Sequence, residues 1–172
     1  PLIEQYGADS FRFYCLREVN FGQDGVVGED SFKARYNAEL ANELGNLLSR
    51  TASMIAKYRS GQVPAPAGAV ESSPLAAEAE TAISATRAAL EDFNLSGGLE
   101  SIWAFVRRLN RFVEERTPWK QAKAGDETGL DDTLWNLAEG LRLLAVLLHP
   151  YIPAASDEIL RRLSQEPGAD TV

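Results

Sequence analysis

The sequence predicts an all-α protein, an antiparallel helical bundle entered through a short N-terminal segment. Three observations carry this. Apolar residues recur every three or four positions in four separate stretches, the period of a helix with one buried side. The stretches are joined by Gly- and Pro-containing connections, short enough to favour antiparallel neighbours. No strand-like alternation of consequence and no internal repeat interrupts them. With 172 residues, 45% of them hydrophobic and 24% charged, the chain can build one domain with a sizeable core, or one domain with a small appendage.

The elements follow in order. In IEQYGADSFRFYCLRE (3–18), Phe11, Tyr14, Cys15 and Leu16 take the spacing of a short helix. Gly22, Asp24-Gly25 and Gly28 then mark turns around at most one or two short strands. Glu29-Asp30-Ser31 supplies a cap with acids in the first turn, for a long helix from about Ser31 to Tyr58 that stops at Ser60-Gly61. GQVPAPAGAVESSP (61–74) is a flexible connection, and Ser72-Ser73-Pro74 caps the alanine-rich helix of about 74–92. Asn94 or Ser96 starts a helix of about 95–115, with Leu99, Ile102, Phe105, Val106, Leu109 and Val113 inward and a first turn weakened by Gly97-Gly98. Thr117 caps a short helix with Pro118 at its first position. After the break at Gly125-Asp126, a last long helix of about 128–148 ends at Pro150 and Pro153, and a short helix of about 155–163 follows.

The long helix around Asn37–Lys57 has two sides. Tyr36, Leu40, Leu44, Leu47, Leu48, Thr51, Ile55 and Tyr58 fill an arc of roughly 120° at ~100° per residue. Asn42, Asn46, Arg50, Ser53 and Lys57 fill a second arc of roughly 80°, well apart from the first. Asn is a poor helix former, because its amide competes for the backbone. Asn42, Asn46 and Arg50 therefore form either an ordinary solvated face or a row of planar donors and acceptors suited to the edges of unpaired bases.

The net charge of −8 argues against loose, sequence-blind nucleic-acid binding, which draws on phosphate neutralisation. Between Arg107 and Lys123, however, six cations stand against Glu114 and Glu115. This strip is either the wet side of an amphipathic helix or a local meeting place for a polyanion. Trp119 follows Pro118 at a helix mouth among Arg116, Lys120 and Lys123, as a stacking platform for an unpaired base or as a plug at the bundle end. Trp103 and Trp135 belong to the core or its margin.

Other chemistry is thinly represented. His149 is the single histidine, at a helix C-terminus where imidazole favours the dipole. Together with the single Cys15 it makes no metal cluster and no catalytic triad. Cys15 reads as a small buried hydrophobe in a reducing cytosol. No Walker-type loop, no strand-GxGxxG-helix unit, no run of the ~20 apolar residues that span a bilayer and no leader appear. A start at Pro1, inside a patterned stretch, suggests a piece of a longer polypeptide.

PLIEQYGADSFRFYCLREVNFGQDG resembles the segment that follows the KMSKS signature in methionyl-tRNA synthetases. NELGNLLSRT, FVEERTPWKQAK and LLHPYIPAASDEI resemble, in the same order, the anticodon-binding helical bundle of that family. The resemblance covers essentially the whole chain; FGQDG, GNLLSR and PW are specific to the methionine branch, whereas HPYIP is shared across the class I aliphatic group. It implies residues 1–30 as a linker that contacts the tRNA stem, and 31–172 as the anticodon-binding bundle. It also implies that Asn42, Asn46 and Arg50 bind anticodon bases and that Trp119 stacks beside the cytosine of a CAU anticodon. The implied partners are a methionine-accepting tRNA and the catalytic domain of the parent chain, with no membrane and no DNA. The chain lacks the HIGH and KMSKS elements, zinc-binding cysteines and a nucleotide-binding fold. The resemblance therefore implies no cofactor here, ATP being bound by a catalytic domain outside the segment, and no activity for the segment alone. The alternatives are the corresponding bundle of a leucyl-, isoleucyl-, valyl- or cysteinyl-tRNA synthetase, and a helical protein-protein interaction domain.

Overall fold

The computed structural model describes residues 2–18, 28–66, 68–69 and 72–163. Among them every regular element is helical: α1 (Leu2–Tyr6), α2 (Ala8–Glu18), α3 (Glu29–Arg35), a π-helical segment (Tyr36–Gly45), α4 (Asn46–Arg59), α5 (Ala76–Glu91), α6 (Leu95–Arg116), α7 (Pro118–Ala124), α8 (Glu127–Leu148) and α9 (Pro153–Arg162).

Helices α6 and α8 are the centre, because their apolar stripes are the longest. Leu99, Ile102, Trp103, Val106, Leu109 and Val113 of α6 and Leu134, Leu137, Leu141, Leu144 and Leu148 of α8 are wholly buried. The two backbones approach closely at Gly140, where an added Cβ would lie 2.5 Å from Leu109 Cδ2. Asn94 and Asp126 cap these helices, accepting from Gly97 N and Gly129 N, each at 3.0 Å. Helix α5 returns against α6, and α4 runs alongside α6 in the same direction, so α4, α5, α6 and α8 alternate up and down.

The N-terminal helices are tied into this bundle. Phe13 packs tilted on Trp103 with ring centroids 4.7 Å apart. Arg12 donates to the carbonyls of Tyr151 and Pro150, and Asp9 accepts from the N–H of Ala155, supplying the missing cap of α9. Tyr14 Oη lies 2.7 Å from Ser31 Oγ, and Tyr6 packs edge-on against Phe32 and Tyr36, whose rings stack on each other.

Several local expectations are corrected. The helix over 3–18 is two helices, broken at Gly7 with φ +83°. Gly28, without a side-chain cap, precedes α3 one turn earlier than the expected Glu29-Asp30-Ser31 cap; Ser31 Oγ donates back to the Gly28 carbonyl instead. Ser72-Ser73-Pro74 does not cap α5, which begins at Ala76. Ser73 Oγ accepts from Leu75 N and donates to Asn136 Oδ1 at 2.5 Å, pinning the connection to α8. Thr117 precedes α7 without capping it, in left-handed backbone at φ 44°. Gly97-Gly98 is no weak point, since a Cβ at Gly98 would strike the hydroxyl of buried Tyr151. The turns expected around Gly22 and Asp24-Gly25 lie outside the described residues.

The π segment was not foreseen, although its signal is present. Tyr36, Leu40, Leu44 and Leu48 recur at strict intervals of four. In an α-helix such a row drifts by about 40° per step. A wider turn keeps it on the core side, and Leu44 is buried there.

Candidate nucleic-acid interface

The partition of the long helix follows its sequence. Leu44, Leu47, Thr51 and Ile55 are buried; Asn42, Asn46, Ser53 and Lys57 are exposed and Arg50 is half-exposed. At the far end of α6, left-handed Thr117 and the fixed φ of Pro118 turn the chain sharply. Pro118 is buried by the turn, and the next residue, Trp119, is left 40% exposed at the mouth of α7.

These two places meet. The guanidinium of Arg50 stands over the Trp119 ring, its Cζ 5.9 Å from the centroid. The same guanidinium donates through Nη2 to Glu114 Oε1 at 2.6 Å. Arg50, Glu114 and Trp119 thus form one cluster of a cation, an acceptor and an aromatic face open to water. Asn46, one turn before Arg50, is exposed on the same helix.

Asn42 sits differently. It belongs to the π segment and lines a groove of about 330 Å³ with Glu43, Arg107, Asn110 and Arg111. Asn110 fixes the crossing, its amide donating to the Glu43 carbonyl at 3.1 Å and to Val106 O at 3.2 Å. The sequence reading missed Glu114 and Asn110; both lie on the wet edge of α6, and only their partners on another helix distinguish them.

Half of the basic strip is neutralised. Arg107 pairs with Glu100, Arg108 with Glu78 and Glu115, and Arg116 with Asp132 and Thr133. The Arg108 hydrogen bond holds the Glu78 carboxyl below its ordinary range, and Arg17 followed by Arg107 does the same for Glu100. Of the six cations, Arg111, Lys120 and Lys123 form no ion pair within 4.0 Å among the described residues.

The remaining candidates have structural positions. Trp103 is wholly buried, and Trp135 is half-buried. His149 follows α8, with Nε2 3.5 Å from Asp157 Oδ1. Cys15 is half-buried rather than buried, and desolvation raises its thiol pKa. No helix among the described residues is long and apolar enough to cross a membrane.

Comparison with known proteins agrees with this architecture. A model of the family described as "Anticodon-binding domain of tRNA ligase" matches residues 75–171, and that of "tRNA synthetases class I (M)" matches residues 1–52. The methionine-tRNA ligase of Lactococcus lactis is 39% identical over 167 residues, 96% of this chain and 25% of that protein. That of Bacillus subtilis is 41% identical over 165 residues, 94% of this chain and 25% of that protein. The chain thus spans about a quarter of the length of these relatives. Among solved structures, the apo form of Mycobacterium tuberculosis methionyl-tRNA synthetase superposes with a TM-score of 0.89 at 35% identity, over 96% of this chain and 34% of that one. The same enzyme with methionyl-adenylate gives 0.88 at 36%, over 96% and 33%. The chain belongs to the anticodon-binding domain family of tRNA ligases, and along nearly its whole length its relatives in that family are methionine-tRNA ligases.

Proposed function

We propose that this chain is the anticodon-reading module of a cytoplasmic methionine-tRNA ligase, and that it binds the unstacked CAU loop of a methionine-accepting tRNA. In this reading Trp119 stacks on one loop base while Asn42, Asn46 and Arg50 hydrogen-bond the edges of its neighbours. Residues 1–30, tied to the bundle through Asp9, Arg12 and Phe13, join it to a catalytic domain that binds ATP and methionine. The observation that carries the proposal is the seat of Arg50 over a solvent-open Trp119 ring, a fork of donors and a stacking face on one patch. Glu114 holds that fork in place and leaves its remaining N–H groups for a ligand.

The test is a fluorescence titration of the chain with a CAU-loop hairpin and with hairpins of altered anticodon bases. The expected result is tightest binding of the CAU loop, with Arg50→Ala weakening that loop more than the altered ones. Equal binding of all loops by the unmodified chain would refute the proposal. The comparison is a ratio, so the avidity a ligase gains from contacts elsewhere on the tRNA does not enter.

A further inference from the structure

We infer that the groove between the π segment and α6 is a phosphate-binding subsite, in which Arg111 and Arg107 hold the sugar-phosphate backbone of the RNA loop beside the bases read at Arg50 and Trp119. The inference rests on the anticodon reading above and adds a second kind of contact to it.

Unpaired positive charge is scarce on this chain. The chain is acidic, at −8, and most of its arginines are spent on carboxylates. Arg111 is exposed and has no ion pair among the described residues. It lines the groove together with Arg107, whose Glu100 partner is itself shared with Arg17. The remaining lining is Asn42, Asn110 and Glu43. The Asn42 amide and two guanidinium forks match the acceptor oxygens of a phosphodiester, while the Asn110 amide is spent on the Glu43 and Val106 carbonyls and shapes the groove floor. Glu43 is the one acid lining the groove, with its Oε2 withdrawn from solvent; the Glu100 that pairs with Arg107 is divided between Arg107 and Arg17, and Arg111 carries the unpaired charge.

Position supports the same conclusion. Arg111 lies three residues before Glu114 on α6, and Asn42 lies four before Asn46 and eight before Arg50. The groove is therefore one to two helical turns, about 5–11 Å, along the ridge from the Arg50–Trp119 cluster. A loop with one base on Trp119 carries its neighbouring backbone over that distance. The division of labour is the general one, with phosphate contacts fixing register and base contacts supplying identity.

The test measures Kd of the chain for CAU and altered-base hairpins as a function of salt, for the unmodified protein, Arg111→Gln and the double variant R107Q/R111Q. Each phosphate contact on a single strand adds about 0.7 to the slope of log K against log salt. Arg111→Gln is therefore expected to flatten the slope by about 0.7 and the double variant by up to about 1.4, equally for all hairpins, leaving the preference for CAU intact. An unchanged Tm shows that the exposed substitutions leave the fold whole. An unchanged slope in both variants, or a loss confined to the CAU loop, would overturn the subsite. Absence of any loop preference in the unmodified chain would instead overturn the anticodon reading.

Discussion

Replacing Trp119 by Ala removes the stacking face and part of the packing at the mouth of α7, and the two effects are separable in size. A Trp buries up to about 250 Å² when fully enclosed. With 40% of Trp119 exposed, roughly 150 Å² is withdrawn from water. At about 25 cal/mol per Å² that is an upper bound of about 4 kcal/mol of stability. A domain of this size commonly holds 5–15 kcal/mol, so the variant stays folded, with Tm lowered by about 10 °C. Stacking of one base is worth ~1–3 kcal/mol, a roughly 5- to 150-fold weakening of RNA binding. The assay is a titration with the CAU-loop hairpin at least 15 °C below the Tm of Trp119→Ala, with Trp119→Phe as the ring-retaining control. Trp119→Phe should fall between the other two. A folded Trp119→Ala chain that binds within twofold of the unmodified one would refute the stacking role.

Further outcomes follow from the packing. Gly98→Ala drives a methyl into the Tyr151 hydroxyl and should cost about 1–3 kcal/mol in denaturant unfolding, most of it restored in G98A/Y151F. Tyr151→Phe alone should cost almost nothing, because that hydroxyl is buried without a hydrogen-bond partner among the described residues; a large loss would show a bond to water. Glu100 is held below the ordinary carboxylate pKa of about 4.3, first by the Arg17 hydrogen bond and then by Arg107. Its contribution is therefore complete above that pH and lost as pH falls through the folded value. Arg17→Met should lower Tm at pH 7 and converge on the unmodified protein in acid; parallel Tm curves down to pH 2.5 would remove the ion pair from the account.

How much of this was legible beforehand depends on distance along the chain. The two-sided character of α4, a helix start at Asn94 or Ser96, the break at Thr117-Pro118 and the inward rows of α6 and α8 are all written within a few residues, because helical periodicity and capping are local; the structure chose Asn94. The caps expected at Ser31 and at Ser72-Ser73 failed for the opposite reason. Their hydroxyls found better partners elsewhere, Tyr14 for Ser31 and Asn136 for Ser73. The basic strip likewise looked open because its neutralising carboxylates, Glu78, Glu100 and Asp132, come from other turns and other helices.

By itself, then, the sequence determined an all-helical chain with a polar row on one long helix and a tryptophan at a neighbouring mouth. Only the packed bundle decided that Arg50 reaches Trp119, that Glu114 holds Arg50, and that a π turn sends Asn42 into the groove of Arg107 and Arg111. The reason is that apolar spacing fixes which side of each helix is buried, whereas the encounter of two wet side chains depends on how far each helix is turned and slid against the next.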